Sequence, residues 1–358
     1  MMEAIVAGHL CLDILPDLSG HAAENFDAAF QPGQLIQVGP AYISTGGAVA
    51  NTGLALHRLG IQTRLLARVG ADHFGRTLRG LVAAFGPGLE DGITEDTQSS
   101  TSYSIVISPP DGDRRFLHHP GANDDFCAAD VRGEDLRGAR LFHFGYPPLM
   151  ARMYADDGAQ LTEMFRRVKS LGLTTSLDMA LPDPDSAAGR ADWKGILKKV
   201  LPHVDIFLPS LEEILFMLKR DLNAAPSAGL LAEVSDEILG MGAKIVVLKL
   251  GGRGLYLRTA PVEVLQGLGR AGPSRLAGWA DFKKWSPCFQ VDVIGTTGSG
   301  DAAIAGFLAA LLRDLGPEEV LTLALAVGAC NVEASDALSG IRSWDETLER
   351  IEAGWPRR

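Results

Sequence analysis

An alternation of short apolar segments with amphipathic ones along nearly the whole chain is the feature that most constrains its fold. Several of the short segments, such as AIVAG and IVVL, consist entirely of apolar residues. Strands of this kind are typical of a parallel sheet whose two faces are both covered by helices. The alternation therefore predicts an α/β protein, a doubly wound sandwich with a mostly parallel central sheet.

Six segments have the spacing of buried helices. They are predicted at Ala48–Leu59, Phe74–Phe85, Met150–Leu171, Leu211–Leu218, Ala302–Leu315 and Glu318–Ala334. The segment FQVDVIG, which ends at Gly295, is predicted to be a strand. Two stretches, about 13–44 and 101–119, contain short β segments and turn residues without a helix. We expect them to form a small sheet beside the main body of a single domain that spans residues 1–358.

Charge and cysteine content limit the classes of partner. The net charge is −11, and no block of lysine and arginine residues is present, which argues against nucleic-acid binding. No apolar run approaches the ~20 residues that cross a bilayer, so no membrane segment is expected. The four cysteines are scattered without CxxC spacing, and the start of the chain lacks a basic region followed by an apolar one. These features favour a cytoplasmic protein with reduced thiols.

The segment GTTGSGDAAIAGFLAALL places flexible glycines and one acid, Asp301, at the start of an apolar helix. Glycines in such a turn expose consecutive backbone N–H groups at the positive end of the helix, which is a site for an anion. A carboxylate beside that site can accept a proton from a hydroxyl group that attacks phosphorus. The alternative is that Asp301 only stabilises the helix N-terminus, and this segment alone does not separate the two.

Two further segments have the composition of a polyhydroxyl site. In STGGAVANTG, Gly46 and Gly47 precede a helix that carries Asn51, whose amide group is both a donor and an acceptor. Asp13 ends the first apolar segment, at the edge where α/β sheets bind ligands. Simple helix–sheet packing or a dinucleotide-type turn is the alternative for the glycines, and an ordinary loop acid is the alternative for Asp13.

Taken in order, these segments resemble the PfkB (ribokinase-like) carbohydrate kinase family. GHLCLD, GGAVANTGLALHRLG, ARVGADHFG, HPGAN and GTTGSGDAAIAGFLAAL follow one another as the family's motifs do, and the resemblance covers essentially the whole chain. It implies a Rossmann-like three-layer α/β/α sandwich with a small β-sheet lid, formed by the two helix-poor stretches. It also implies the use of ATP and Mg²⁺ and a homodimer formed through the lid.

The resemblance assigns roles to individual residues. It makes Asp301 the catalytic base and the backbone amides of Gly298, Ser299 and Gly300 the anion hole for the transferring phosphoryl group. Residues implied to contact the sugar are Asp13, Gly46, Gly47, Asn51 and Asn123. Residues implied to lie near the nucleotide are Ser210, Lys249, Gly251, Gly254 and Asn331, and Glu213 is implied to organise the metal.

The chain departs from the family pattern at two positions. Ser210 stands where the family's N-x-x-E motif has asparagine, which argues against a nucleotide contact there, whereas the acid at Glu213 is kept. Gly295 stands where the family's D-T-x-G-x-G-D has its first aspartate, which argues against a monovalent-cation site. We expect Cys11, Tyr103 and His118 to influence the choice of sugar. The segment GDRR (112–115) is expected to be a hairpin tip, with a phosphate clamp as the alternative.

These observations predict an ATP-dependent carbohydrate kinase that transfers the γ-phosphoryl group of ATP to a sugar hydroxyl. Two alternatives remain at this stage. One is a nucleoside or phosphosugar kinase of the same fold, and the other is a catalytically silent protein that senses a sugar or a nucleotide.

Overall fold

A large β-sheet forms the middle of the molecule in the computed structural model, which describes residues 2–20, 32–33, 35–108 and 115–358. In these ranges the sheet has nine strands. They are β1 (Ala4–Gly8), β4 (Thr63–Gly70), β5 (Ile93–Asp96), β8 (Leu141–Gly145), β9 (Thr174–Leu177), β10 (Ile206–Phe207), β11 (Ile245–Lys249), β12 (Leu255–Thr259) and β13 (Lys283–Ser286). Their order across the sheet is β13-β12-β11-β10-β9-β8-β1-β4-β5.

Strand direction in this sheet follows the predicted pattern. The strands from β5 to β11 all pair in parallel, and only β12 and β13 add antiparallel pairings at one edge. Because parallel strands end at the same edge, the loops that follow β1, β8, β9 and β11 lie together. The predicted mostly parallel central sheet is confirmed.

Helices cover both faces of the sheet. Those of seven residues or more within the described ranges are α1 (Ala48–Arg58), α2 (His73–Ala83), α3 (Ala159–Ser170), α4 (Trp193–Val200), α5 (Leu211–Met217), α6 (Ala228–Gly240), α7 (Ser299–Leu312), α8 (Pro317–Asn331) and α9 (Trp344–Glu352). Alternate residues of one strand serve opposite faces: Val6 belongs to the apolar core that includes residues of α1 and α7, and Ile5 belongs to the core that includes residues of α3. This two-sided burial explains the wholly apolar strands, and it confirms the α/β/α sandwich.

A second, four-stranded sheet accounts for the helix-poor stretches. Its strands are β2 (Cys11–Pro16), β3 (Ala41–Gly46), β6 (Tyr103–Ile107) and β7 (Arg115–His119), in the order β3-β2-β6-β7. The predicted small sheet is confirmed. Residues 21–31 and 34 of the first stretch lie outside the described residues, and so do residues 109–114, which include most of the GDRR segment.

Three predicted elements differ from the structure. The strand predicted to end at Gly295 is absent, since Phe289 makes one isolated bridge with Arg357 and the alternating apolar side chains of the segment line a cavity instead of entering the sheet. The helix predicted at 150–171 is interrupted, because Asp156 and Asp157 adopt left-handed backbone angles before Gly158. Helix α7 begins at Ser299, three residues earlier than predicted, so that Asp301 lies in its first turn.

Helices α4 and α6 were not predicted from the sequence at all. Within the described part of the chain, no helix is both long and apolar enough to cross a membrane.

Candidate active site

Two cavities meet at the edge where the parallel strands end. The larger, about 750 Å³, is lined by polar side chains from the four-stranded sheet and from the loops after β1 and β8. The smaller, about 220 Å³, is lined mainly by glycines and apolar side chains from the loop after β11 and from α7 and α8. Val293 and Thr296 line both cavities, so the glycine-rich segment forms the wall between them.

The glycine turn leads directly into α7. Gly298 has φ 71°, a left-handed angle that favours glycine, and a Cβ atom placed on it would lie 2.6 Å from the Cβ of Ala337. The Ser299 amide donates to the carbonyl oxygen of Thr296 at 3.3 Å. Of the three amides predicted to bind the phosphoryl group, that of Ser299 is therefore already engaged in this conformation.

Asp301 is buried beside this turn, and three side chains donate hydrogen bonds to its carboxylate. Its Oδ2 accepts from the Asn51 amide at 3.1 Å and from the Tyr146 hydroxyl at 2.7 Å, and its Oδ1 accepts from the Thr52 hydroxyl at 3.2 Å. A side chain that served only as a favourable helix acid would not need three partners from two other elements. The arrangement fixes the orientation of the carboxylate behind Asn51 and Tyr146, which form part of the wall of the larger cavity.

Sequence reasoning missed Thr52 and Tyr146. Thr52 lies beside Asn51 on α1, and its hydroxyl is a polar group among small apolar residues. Tyr146 follows β8 directly, so its place at the carboxyl end of a parallel strand was the available signal.

Asp13 lies within β2 of the four-stranded sheet and lines the larger cavity. The prediction that it ends the first strand of the main sheet is wrong, because that strand, β1, already ends at Gly8. One carboxylate oxygen accepts from the thiol of Cys11 at 3.3 Å. Burial raises the pKa of the Asp13 carboxyl group to about 6, although hydrogen bonds from Cys11 and Ser104 oppose that shift. A half-buried carboxylate with spare acceptor capacity is suited to bind the hydroxyl groups of a sugar.

The paired glycines make room for these side chains. A Cβ atom on Gly46 would clash with the carboxylate of Asp13, and one on Gly47 would lie 2.6 Å from His9 Nδ1. Gly47 also has φ 87° and lines the larger cavity. Its neighbour on α1, Asn51, keeps its buried side-chain oxygen without a hydrogen-bond partner, which leaves an acceptor for a ligand.

Two histidines join the small sheet to the main one. His9 Nε2 lies 3.3 Å from His118 Nε2, and His118 Nδ1 lies 3.0 Å from the hydroxyl of Ser104. Burial and the neighbouring His118 lower the pKa of His9, and burial lowers that of His118, so both rings are neutral at pH 7. Both histidines and Cys11 line the larger cavity, whereas Tyr103 packs edge-on against Phe74.

Two residues that were predicted to lie near the sugar or the nucleotide form hydrogen bonds with backbone groups instead of lining a cavity. The Asn123 amide group donates to the carbonyl oxygen of Leu10 and accepts from its N–H group, so both of its ends are engaged. Asn331 donates to the carbonyl oxygen of Ala337 at 2.7 Å. The structure thus does not bring either side chain to the cavities among the described residues.

The smaller cavity receives the predicted nucleotide residues Lys249, Gly251 and Gly254. Gly251 and Gly254 have φ angles of 56° and 97°, and together they turn the chain between β11 and β12. The remaining wall is largely apolar and glycine-rich, which suits a planar aromatic base. Arg358 also lines this cavity, a contribution that sequence reasoning missed.

Lys249 provides a positive charge between the smaller cavity and the glycine turn. Its ammonium group donates to Asp178 Oδ1, and a Cβ atom on Gly300 would lie 3.6 Å from Lys249 Nζ. Burial disfavours its charged form, but the carboxylates of Asp178 and Glu213 outweigh burial and raise the pKa of Lys249 above its usual value. The lysine therefore carries a positive charge beside the glycine turn.

Ser210 and Glu213 form a capping box at the start of α5. The Ser210 hydroxyl accepts from the Glu213 amide, and Glu213 Oε2 accepts from the Ser210 amide at 2.6 Å. This pairing uses only one of the two carboxylate oxygens of Glu213. Oδ2 of Asp178 is buried without a hydrogen-bond partner. Within the described ranges, no three acidic, histidine or cysteine side chains are grouped as metal ligands. The donors fit a Mg²⁺ ion held mainly by phosphates and water.

Gly295 is packed against the loop that follows α8. A Cβ atom there would lie 2.7 Å from the carbonyl oxygen of Ala334 and 3.0 Å from that of Ser335. The Gly295 amide donates to the carbonyl oxygen of Val332 at 3.2 Å. The backbone of residues 334–335 therefore lies where a side chain at position 295 would project.

Comparison with known proteins agrees with this geometry. The family model described as pfkB family carbohydrate kinase matches residues 11–344. A probable fructokinase-4 of Arabidopsis thaliana is 24% identical over 359 residues, covering 96% of this chain and 95% of that protein. Fructokinase-1 of Oryza sativa subsp. japonica is 25% identical over 363 residues, covering 98% of both chains.

Solved structures share the fold. Ribokinase of Arabidopsis thaliana, complexed with ribose and ATP, superposes with a TM-score of 0.75 at 20% identity and covers 98% of this chain and 99% of that one. Fructokinase of Xylella fastidiosa with bound ATP gives a TM-score of 0.74 at 21% identity and covers 99% of each chain. The predicted ribokinase-like architecture is confirmed.

Proposed function

Because the chain belongs to the pfkB family of carbohydrate kinases, we propose that it transfers the γ-phosphoryl group of ATP to a hydroxyl group of an uncharged sugar. The observation that carries this proposal is Asp301, oriented by three donors at the wall between a polar cavity and a glycine-lined one. We assign the sugar to the larger cavity and the nucleotide to the smaller.

In this assignment Asp301 is the general base. It accepts the proton of the sugar hydroxyl as that oxygen bonds to the γ-phosphorus, while the bond to the ADP oxygen breaks. The amides of the glycine turn and the ammonium group of Lys249 stabilise the negative charge of the transferring group. A bound Mg²⁺ ion would neutralise charge on the phosphates. Glu213 and Asp178 are the residues proposed to hold its water ligands.

The lining of the larger cavity favours a neutral acceptor. Asp13 contributes a carboxylate, and no lysine or arginine lines this cavity in the described part of the chain. A phosphorylated sugar would be repelled by the carboxylate and would meet no cationic side chain among the described residues that line the cavity. Since several relatives are fructokinases, fructose is the first acceptor to test.

The proposal is tested by measuring ADP release across a panel of sugars, polyols, nucleosides and phosphosugars. We expect turnover with one or a few neutral sugars and little with nucleosides or phosphosugars. The Asp301→Asn variant serves as the control for contaminating kinases. Turnover with nucleosides or phosphosugars alone would contradict the proposed acceptor. Sugar binding without any turnover would indicate a sensing protein.

The pH dependence of sugar binding is expected to follow Asp13. Its carboxyl pKa of about 6 lies above the usual value because of burial, so the acceptor form is lost as the pH falls through 6. The nearby Cys11 thiol stays protonated, because burial and Asp13 raise its pKa. KM for the sugar should therefore rise about tenfold between pH 7 and pH 5. An equally steep rise in Asp13→Asn would contradict this assignment.

Monovalent cations are expected to have little effect on activity. Gly295 offers no side-chain oxygen, and the backbone of residues 334–335 occupies the space beside it. Activity should change by less than about twofold when potassium is replaced by tetramethylammonium at constant ionic strength, which keeps screening equal. Strong, saturable activation by potassium would show that carbonyl oxygens alone form a cation site.

We further propose that the four-stranded sheet is a lid over the sugar, and that it forms a homodimer interface. Ile43, Ile14, Ile105 and Leu117 lie side by side across all four strands, and the two at the edges are exposed. A row of apolar side chains across an open sheet is suited to pack against a second copy. We also propose a cytoplasmic location, since Cys11, Cys127, Cys288 and Cys330 are all free thiols.

Light scattering tests the dimer. Leu117→Lys should shift the mass in solution from dimer to monomer, because it puts a charge into the apolar row. Leu222→Lys, at an exposed leucine outside the lid, is the matched control and should leave the mass unchanged. A monomeric wild-type protein would contradict the proposed interface.

A further inference from the structure

Tyr146 adopts a backbone conformation that is rare for a residue with a side chain. Its φ and ψ angles are 66° and 43°, in the left-handed region, and it lies between Gly145 and Pro147. Glycine or asparagine usually occupies positions with such angles. The residue before a proline is restricted further, because the proline ring limits its backbone angles. A tyrosine held in this way indicates that its side chain has a function at this place.

The tyrosine hydroxyl is directed at the proposed base. It donates to Asp301 Oδ2 at 2.7 Å, which is shorter than the bonds from Asn51 and Thr52 to the same carboxylate. Tyr146 and Asn51 line the sugar cavity, whereas Asp301 is only 2% exposed and lines neither cavity among the described residues. The phenol of Tyr146 and the amide of Asn51 therefore lie between a molecule in the sugar cavity and Oδ2 of Asp301.

The charge around Tyr146 keeps its hydroxyl protonated. Burial raises its pKa well above the usual value, and the carboxylates of Asp301, Asp178 and Glu213 raise it further. The phenol is thus a permanent donor at neutral pH. A sugar hydroxyl that is about to lose its proton to Asp301 must make the same kind of bond to the same carboxylate.

We propose that Tyr146 is a positioning residue that covers the catalytic base in the sugar-free enzyme, and that a sugar hydroxyl takes its place at Asp301 Oδ2. The inference rests on the proposed function. When water is the acceptor instead, its oxygen bonds to the γ-phosphorus, the bond to ADP breaks, and Asp301 takes the proton of the water. By occupying the carboxylate, the phenol limits this loss of ATP until a sugar is present.

The conservative variant Tyr146→Phe removes only the hydroxyl group and keeps the ring. We expect ADP release without sugar to rise about fivefold or more, since water can then occupy the position at Asp301. We expect KM for the sugar to fall or stay equal, because the sugar hydroxyl no longer competes with the phenol. A purely structural role would instead raise KM and lower both rates together.

Tyr154→Phe is the matched control, since Tyr154 is a half-buried tyrosine whose ring lies 6.1 Å from that of Trp193, away from both cavities. It should leave the sugar-free rate unchanged. The double variant Tyr146→Phe with Asp301→Asn should lose the extra hydrolysis, because that hydrolysis uses the uncovered carboxylate. Tyr146→Leu provides a second variant, with the same expected direction, if the phenylalanine variant does not fold.

Equal sugar-free ADP release in the wild type and a folded Tyr146 variant would overturn the inference. Extra hydrolysis that persists in the double variant would also overturn it. The proposed function fails by a different result, namely no sugar-dependent ADP release by the wild type with any sugar of the panel. The sugar-free comparison decides the role of Tyr146 in either case.

Discussion

Replacing Asp301 by asparagine is expected to lower kcat by about 10²–10⁴-fold. The substitution keeps the size of the side chain and its place in the first turn of α7, but it removes the group that accepts the proton. KM for ATP should change little, because Asp301 does not line the nucleotide cavity among the described residues. Steady-state kinetics with the best sugar of the panel measure both constants.

The control for this prediction is Asp345→Asn. Asp345 is also an acid in the first turn of a helix, α9, and it is remote from both cavities. If Asp301 only stabilised its helix, the two variants would lose similar stability and neither would lose much turnover. Near-normal kcat in Asp301→Asn would remove the base from the proposed mechanism.

Replacing Asp13 by alanine is expected to raise KM for the sugar by about 5- to 150-fold, which corresponds to ~1–3 kcal/mol for the lost partner of buried hydroxyl groups. KM for ATP should stay the same. Asp17→Ala is the control, because Asp17 follows β2 on the same segment but is exposed and bonds to Ser19. Normal sugar binding by Asp13→Ala would place the sugar elsewhere.

The structure changes the expectation for Asn51→Ala. Asn51 has an unpaired oxygen at the sugar cavity, and its nitrogen donates to Asp301. The resemblance implies only a sugar contact for Asn51, which predicts a higher KM for the sugar. We now expect this variant to lower kcat as well, since it removes one of the three hydrogen bonds that orient the Asp301 carboxylate.

Local patterns were sufficient for the main sheet and for the glycine turn. All five residues of β1 are buried because both faces of the sheet are covered, so the strand is apolar throughout and is visible in the sequence without any knowledge of its neighbours. The same logic failed for the segment from Phe289 to Gly295. Its apolar alternation is real, but the side chains line a cavity, and Phe289 stacks on Trp355, instead of entering a sheet. Periodicity reports which side chains are buried and does not report what buries them.

The sequence by itself determined the layer architecture, the family, and the acid at the start of α7, because each depends on residues that are close together in the chain or on ordered motifs. Only the tertiary structure decided which groups meet that acid. Thr52 and Tyr146 lie 249 and 155 positions away from Asp301 and reach it because the start of α1 and the start of the loop after β8 lie at the same edge of the sheet. It also decided that Asn123 and Asn331 bond to the backbone, since a side-chain amide becomes available to a ligand only when no nearer peptide group engages it.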